Sequence, residues 1–158
     1  MNQNRAPFAT TDVSFPRDTR HSLPIALLRA REQVMSRFRP MLAAHDINEQ
    51  QWRVLRVLNE CGALDATDLA VRANILSPSL TRMIKAMTER GLIRRSKDDN
   101  DGRRVILEIA QAGAELITSV GPEAQVIYST LAETFGADRL SALLDLLDQL
   151  TDALQPRD

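Results

Sequence analysis

Residues 65–109 read DATDLAVRANILSPSLTRMIKAMTERGLIRRSKDDNDGRRVILEI, and their order decides the fold. Ala66, Leu69, Ala70 and Ala73 recur at helical spacing, so a short helix buries one face. Asn74, Ile75 and Leu76 fill a turn. Ser77 before Pro78 predicts a helix start, with Ser77 as N-cap and Pro78 as the first helical residue, where its missing N–H has no partner to lose. Leu80, Met83, Ile84 and Met87 then form one apolar face. Ser79, Thr81, Arg82, Lys85 and Thr88 occupy the other, and Gly91 suits a left-handed cap.

Two β-type runs follow: Leu92-Ile93, then Val105, Ile106, Leu107 and Ile109. They flank a charged tip with the turn dipeptide Asp101-Gly102, and Arg94, Arg95, Lys97, Arg103 and Arg104 cluster around it. A run of charge by itself is most often a solvated loop. Directly after helix, turn and helix, it predicts the wing of a winged helix-turn-helix. Such a motif lays one helix in the DNA major groove and a hairpin against the minor groove or backbone. The DNA-contacting candidates are Ser77, Pro78, Ser79, Thr81, Arg82, Lys85, Arg103 and Arg104: hydroxyls and basic donors suited to base edges and phosphates.

The net charge of −1 conceals a gradient. Residues 1–61 and 62–104 each balance at +3, whereas residues 105–158 balance at −7. Phosphate binding follows local positive charge through counterion release, so whole-chain neutrality does not exclude DNA.

The remaining chain is predicted to be mainly α-helical around the small β-wing. Residues 1–20 lack periodicity and read as a flexible N-terminal arm; residues 21–158 form one domain, with the winged motif over about 48–109. A long helix runs from about Ser22 to Ala44, with Pro24 in its first turn and Pro40 expected to kink or end it. A second runs from Asn48, its N-cap, to about Glu60, with Trp52, Leu55 and Leu58 inward. A fifth covers about Ala110–Thr134, with a possible break at Gly121-Pro122, and a sixth about Asp138–Leu154. On the sixth, Leu140, Leu143, Leu144, Leu147, Leu150 and Leu154 make one apolar stripe. Packing within the chain would explain such a stripe in any helical domain; left exposed, it would invite association.

The chain resembles the MarR family of transcriptional regulators over about residues 22–155. The family's wing pattern D-x-R-D-x-R appears as Asp98-x-Asn100-Asp101-x-Arg103, with Asn100 in place of the first Arg. The departure shifts the expected groove contact towards Arg103 or Arg104. Ala26–Glu32 (ALLRARE), Phe38-Arg39-Pro40 and Glu49–Arg53 (EQQWR) are similar to regulators of aromatic-acid catabolic operons in that family. The resemblance implies a homodimer joined through the terminal helices, about 22–44 and 110–155. It also implies a pseudo-palindromic operator in double-stranded DNA, and repression released by a small aromatic carboxylate. Arg31, on the apolar side of the first helix with Leu27, Leu28 and Met35, is the candidate carboxylate clamp, with Phe38 and Trp52 as pocket walls. An ion pair or interface role for Arg31, and a core role for Trp52, are the plainer readings.

The residues give no sign of enzyme chemistry: no Gly-rich phosphate loop, no nucleophile motif and no metal-spaced cluster, so no cofactor is expected. His21 and His45 sit at helix boundaries and suit hydrogen bonding rather than metal binding. The single cysteine, Cys61, reads as a buried, inert thiol in a reducing cytoplasm, and no segment resembles a signal peptide or membrane span. The competing readings are a winged-helix protein-interaction module and a regulator with no small-molecule effector.

Overall fold

The computed structural model describes residue 19, residues 21–98 and residues 104–155. Their elements are α1 (Leu23–Ala44), α2 (Glu49–Cys61), β1 (Leu64–Asp65), α3 (Ala66–Arg72), α4 (Ser77–Glu89), β2 (Ile93–Lys97), β3 (Val105–Ile109), α5 (Gln111–Phe135) and α6 (Ala137–Ala153). The chain divides into two compact units, Met1–Ser36 and Arg37–Asp158.

α1 ends at Ala44, where the sequence places its end, and Pro40 lies inside the helix without terminating it. Its stop is a Schellman motif. The Asp46 N–H reaches the Ala43 carbonyl at 3.0 Å and the Ile47 N–H reaches the Leu42 carbonyl at 3.1 Å. Asp46 takes the left-handed conformation (φ 56°) that this motif demands. The predicted break at Gly121-Pro122 is likewise absent, and α5 is continuous from Gln111 to Phe135.

Asn48 caps α2 as its position predicts. Its Oδ1 accepts the N–H groups of Gln50 and Gln51, and Gln51 Oε1 accepts the Asn48 N–H at 3.0 Å, completing a capping box. α4 begins one residue earlier than expected. Leu76 is its N-cap, the Leu76 carbonyl accepting from Ser79 and Leu80 at 3.0 Å each. Ser77 is therefore the first helical residue rather than a side-chain cap. The shift is tolerated because the first four helix N–H groups lack intrahelical partners, so Pro78 fits anywhere in that turn.

The sheet order is β1-β3-β2, all antiparallel. β1 is not predicted from the sequence; two residues are too few for periodicity to register. The core of the second unit gathers where α2, α3, α4 and the sheet meet: Val54, Leu55, Leu58, Leu69, Met87 and Leu107 are wholly buried. Gly113 lets α5 cross the start of β2 at van der Waals distance, since a Cβ there would lie 2.1 Å from the Leu92 carbonyl oxygen.

Candidate nucleic-acid interface

α4 is held by its apolar face. Leu80, Met83, Ile84 and Met87 are buried, and the helix packs on α3 and β2. Its end is fixed by a second Schellman motif, Gly91 N–H to Thr88 and Leu92 N–H to Met87, with Gly91 at φ 68°. A helix pinned along one side and at its end has only one face to offer. That face carries Ser77, Pro78, Thr81, Arg82 and Lys85, all exposed, with Ser79 half-buried. The Thr81 hydroxyl donates to the Ser77 carbonyl at 3.1 Å, and Lys85 leans to Glu89 at 4.0 Å.

The wing strands stand beside this face. β2 is exposed at four of its five positions, and Arg94 pairs across the ladder with Glu108 at 3.3 Å. Between α4 and the sheet lies an open notch of about 500 Å³, with Arg82, Lys85 and Arg95 in its walls. Arg104 pairs with Asp65, whose other carboxylate oxygen caps α3 by accepting the Asp68 N–H at 2.8 Å. That backbone hydrogen bond, and then the Arg104 guanidinium, hold the Asp65 carboxyl below its ordinary range. On the inner side of the motif, Arg53 Nη1 donates to the Asn74 carbonyl at 3.2 Å, which ties α2 to the turn ahead of α4. Arg103 and the Asp101-Gly102 turn lie outside the described residues.

A second concavity, about 700 Å³, separates α2 from α5. Trp52 and Arg56 of α2 face Gln125 and Tyr128 of α5 across it, over a floor that includes Gly121 and Ala124. The Arg56 guanidinium carbon sits 5.9 Å from the Trp52 ring centroid, a cation–π arrangement. Phe38 is buried and meets the Tyr128 ring edge-on, at 5.2 Å between centroids and 62° between planes. Trp52 thus lines a groove, and Phe38 supports the ring of Tyr128. Arg31 is exposed on α1, within the first unit. Arg56 and Tyr128 are not among the residues that the sequence singles out. Arg56 is within reach of sequence reasoning, since Trp52 and Arg56 share a helix face at i, i+4.

On α6 the leucine stripe finds no core. Among the described residues no member of α6 is buried; Leu143, Leu144 and Leu154 are exposed, and Leu140, Leu147 and Leu150 are half-buried. Cys61 is exposed rather than buried, because it is the last residue of α2, and Arg72 Nη1 approaches its Sγ at 3.7 Å. His45 hydrogen-bonds Glu123 at 2.8 Å, in keeping with a hydrogen-bonding role at a helix end. No helix among the described residues is long and apolar enough to cross a membrane.

Comparison with known proteins fits this geometry. The MarR family model matches residues 47–105, the span from the N-cap region of α2 to the start of β3. The HTH-type transcriptional regulator FarR of Neisseria gonorrhoeae is 41% identical over 136 residues, covering 85% of this chain and 93% of that protein. The chain belongs to the MarR family. It is a DNA-binding transcriptional regulator, and α3, the turn after it and α4 form a helix-turn-helix inside the matched span, with the β2–β3 wing behind it. The homoprotocatechuate degradative operon repressor of Escherichia coli is 40% identical over 81% of this chain and 86% of its own length. The crystal structure of NadR in complex with 4-hydroxyphenylacetate superposes with a TM-score of 0.75 at 41% identity, over 86% of this chain and 97% of that one.

Proposed function

We propose that this MarR-family chain is a cytoplasmic repressor that binds a pseudo-palindromic operator as a homodimer and leaves it when a small aromatic carboxylate binds. The observation that carries the effector reading is the groove between α2 and α5, which has the Arg56 guanidinium beside the Trp52 ring on one wall and the Tyr128 ring on the other. A planar acid needs these partners, a fork donor for the carboxylate and π-faces for the ring. The named relatives, a degradative operon repressor and a regulator crystallised with 4-hydroxyphenylacetate, support the same class of ligand. Arg31 is the other candidate clamp, supported by its place on the apolar side of α1.

Two-fold pairing through the unburied leucines of α6 would set two copies of α4 about 34–36 Å apart, one turn of B-DNA. The acid then acts by population shift, favouring a dimer whose α4 helices are misplaced for successive grooves. A hundredfold loss of operator affinity requires about 2.7 kcal/mol of coupling.

Calorimetry with 4-hydroxyphenylacetate, hydroxybenzoates and hydroxycinnamates tests the groove, using wild type, Arg56→Ala, Arg31→Ala and Gly121→Met. A Cβ at Gly121 meets nothing within 4 Å, so a Met side chain can extend into the groove without a clash at its base. Arg56→Ala and Gly121→Met should lose binding while still shifting operator DNA. Retained binding in both would move the site elsewhere, and loss confined to Arg31→Ala would move the clamp to α1. Absence of binding by every acid would leave an operator-binding regulator without this effector class.

A further inference from the structure

Leu76 is 79% exposed, the highest value among the exposed large hydrophobic residues of the described chain. It is also the N-cap of α4, a position normally given to Ser, Thr, Asp or Asn, and it makes no side-chain capping bond. Nothing local rewards an apolar residue there. Its backbone is nonetheless fixed: φ is −65° and ψ 135°, and its carbonyl accepts two helix N–H groups. The next two residues, Ser77 and Pro78, are exposed on the same leading end of the helix. The branched side chain therefore projects from a rigid point at the edge of the DNA-facing surface.

We propose that Leu76 is a specificity-determining residue that packs on the C5-methyl group of a thymine in each operator half-site. In the major groove that methyl is the one apolar mark a base presents, and aliphatic contact is how proteins read it. The contact removes exposed aliphatic surface from water on both partners, which balances the cost of holding Leu76 in solvent in the unbound protein. Arg82 and Lys85, further along the same helix, supply polar contacts; the methyl of Thr81 is a rival for the same kind of contact, and the response of Leu76→Ala tells the two apart.

The inference rests on α4 meeting operator DNA, and the test separates the two. The operator is first located by footprinting on DNA upstream of the protein's own gene. Each dT of the duplex is then replaced by dU, which deletes the methyl and keeps the base pair. One dT per half-site should show weaker wild-type binding by about fourfold on replacement, the scale set by burying one methyl-sized group. Leu76→Ala should bind the dT duplex less well and show no response to dU at that position, while Leu76→Met, still apolar, should keep part of the response. Circular dichroism should report an unchanged helix content, since the Leu76 side chain makes no capping bond and its carbonyl is kept in the variants. Wild type that binds with no dU-sensitive position, or Leu76→Ala that keeps the wild-type dU response, overturns the role of Leu76 alone. Wild type that binds no duplex contradicts the DNA-binding premise with it.

Discussion

Arg104 and Asp65 form an ion pair that ties the residue before β3 to the N-cap of α3. The same carboxylate caps α3 through the Asp68 N–H. One acidic side chain thus fixes the root of the wing against the first helix of the helix-turn-helix, and a guanidinium near the proposed DNA-facing surface has a partner within the chain.

The salt dependence of operator binding should separate this arginine from the basic side chains of α4, Arg82 and Lys85. Deleting one phosphate-binding side chain flattens the slope of log K against log salt by about 1. Lys85→Ala should show such a decrease. Arg104→Ala should weaken binding by loosening the wing, with a smaller change in slope. Equal slope changes in the two variants would make Arg104 a phosphate contact in its own right.

Acid should undo the Asp65 cap and pair together. The folded-state pKa of Asp65 is lowered from 3.8, by the Asp68 N–H first and the Arg104 guanidinium second. A depressed carboxylate stabilises the fold above its unfolded pKa, and that contribution disappears as pH falls through the folded value. The stability difference between wild type and Asp65→Asn should therefore be constant above about pH 5 and shrink below 3.8. Urea titrations across this range measure it; a gap that stays constant down to about pH 2.5 would contradict the assignment.

Two glycines of α5 should respond to alanine with opposite signs. Helix propensity alone favours Ala over Gly by roughly 1 kcal/mol. At Gly121, where a Cβ meets nothing, that preference should appear as a small gain in Tm. At Gly113 the Cβ would strike the Leu92 carbonyl oxygen, a backbone atom, so α5 must move off β2. The substitution should cost about 1–3 kcal/mol despite the better propensity. Differential scanning calorimetry reads both, and a Gly113→Ala protein as stable as wild type would show that the crossing is looser than described.

Much of this fold is legible in the sequence because its signals are local. The face formed by Leu80, Met83, Ile84 and Met87, the Gly91 cap and the two strands each declare themselves within a few residues. What is not legible depends on distant partners. Trp52 and Arg56 become a groove only when Tyr128, far along the chain, folds across from them. Asp65 becomes a wing anchor only when Arg104 returns beside it. Pro40 and Pro122 predict interruptions of their helices, but a proline removes one hydrogen bond and the turns around it can still hold. Cys61 reads as buried because no cation neighbours it in sequence; at the end of α2 it is exposed, and Arg72, eleven residues on, approaches its sulfur.

The leucines of α6 should prove to be dimer contacts. Burying each contributes roughly 1.5–3 kcal/mol, and within one chain none is fully buried. Leu147→Asp would place a charge on the stripe, and its desolvation opposes association. Sedimentation should find a monomer or an aggregate, with operator affinity abolished. A Leu147→Asp protein that remains dimeric would exclude this surface.

Presentation of Arg82 and Lys85 to operator DNA by α4 is read by the affinity of the Arg82→Ala, Lys85→Ala double variant for the footprinted operator over a range of salt. Both side chains are exposed and outside the core, so the fold should survive the change. If Arg82 reads a guanine, its removal alone costs about 1–3 kcal/mol and relaxes selectivity at that base. The expected result is a folded dimer whose operator affinity falls at least tenfold and whose salt slope decreases. Wild-type affinity and slope in the double variant would exclude that presentation.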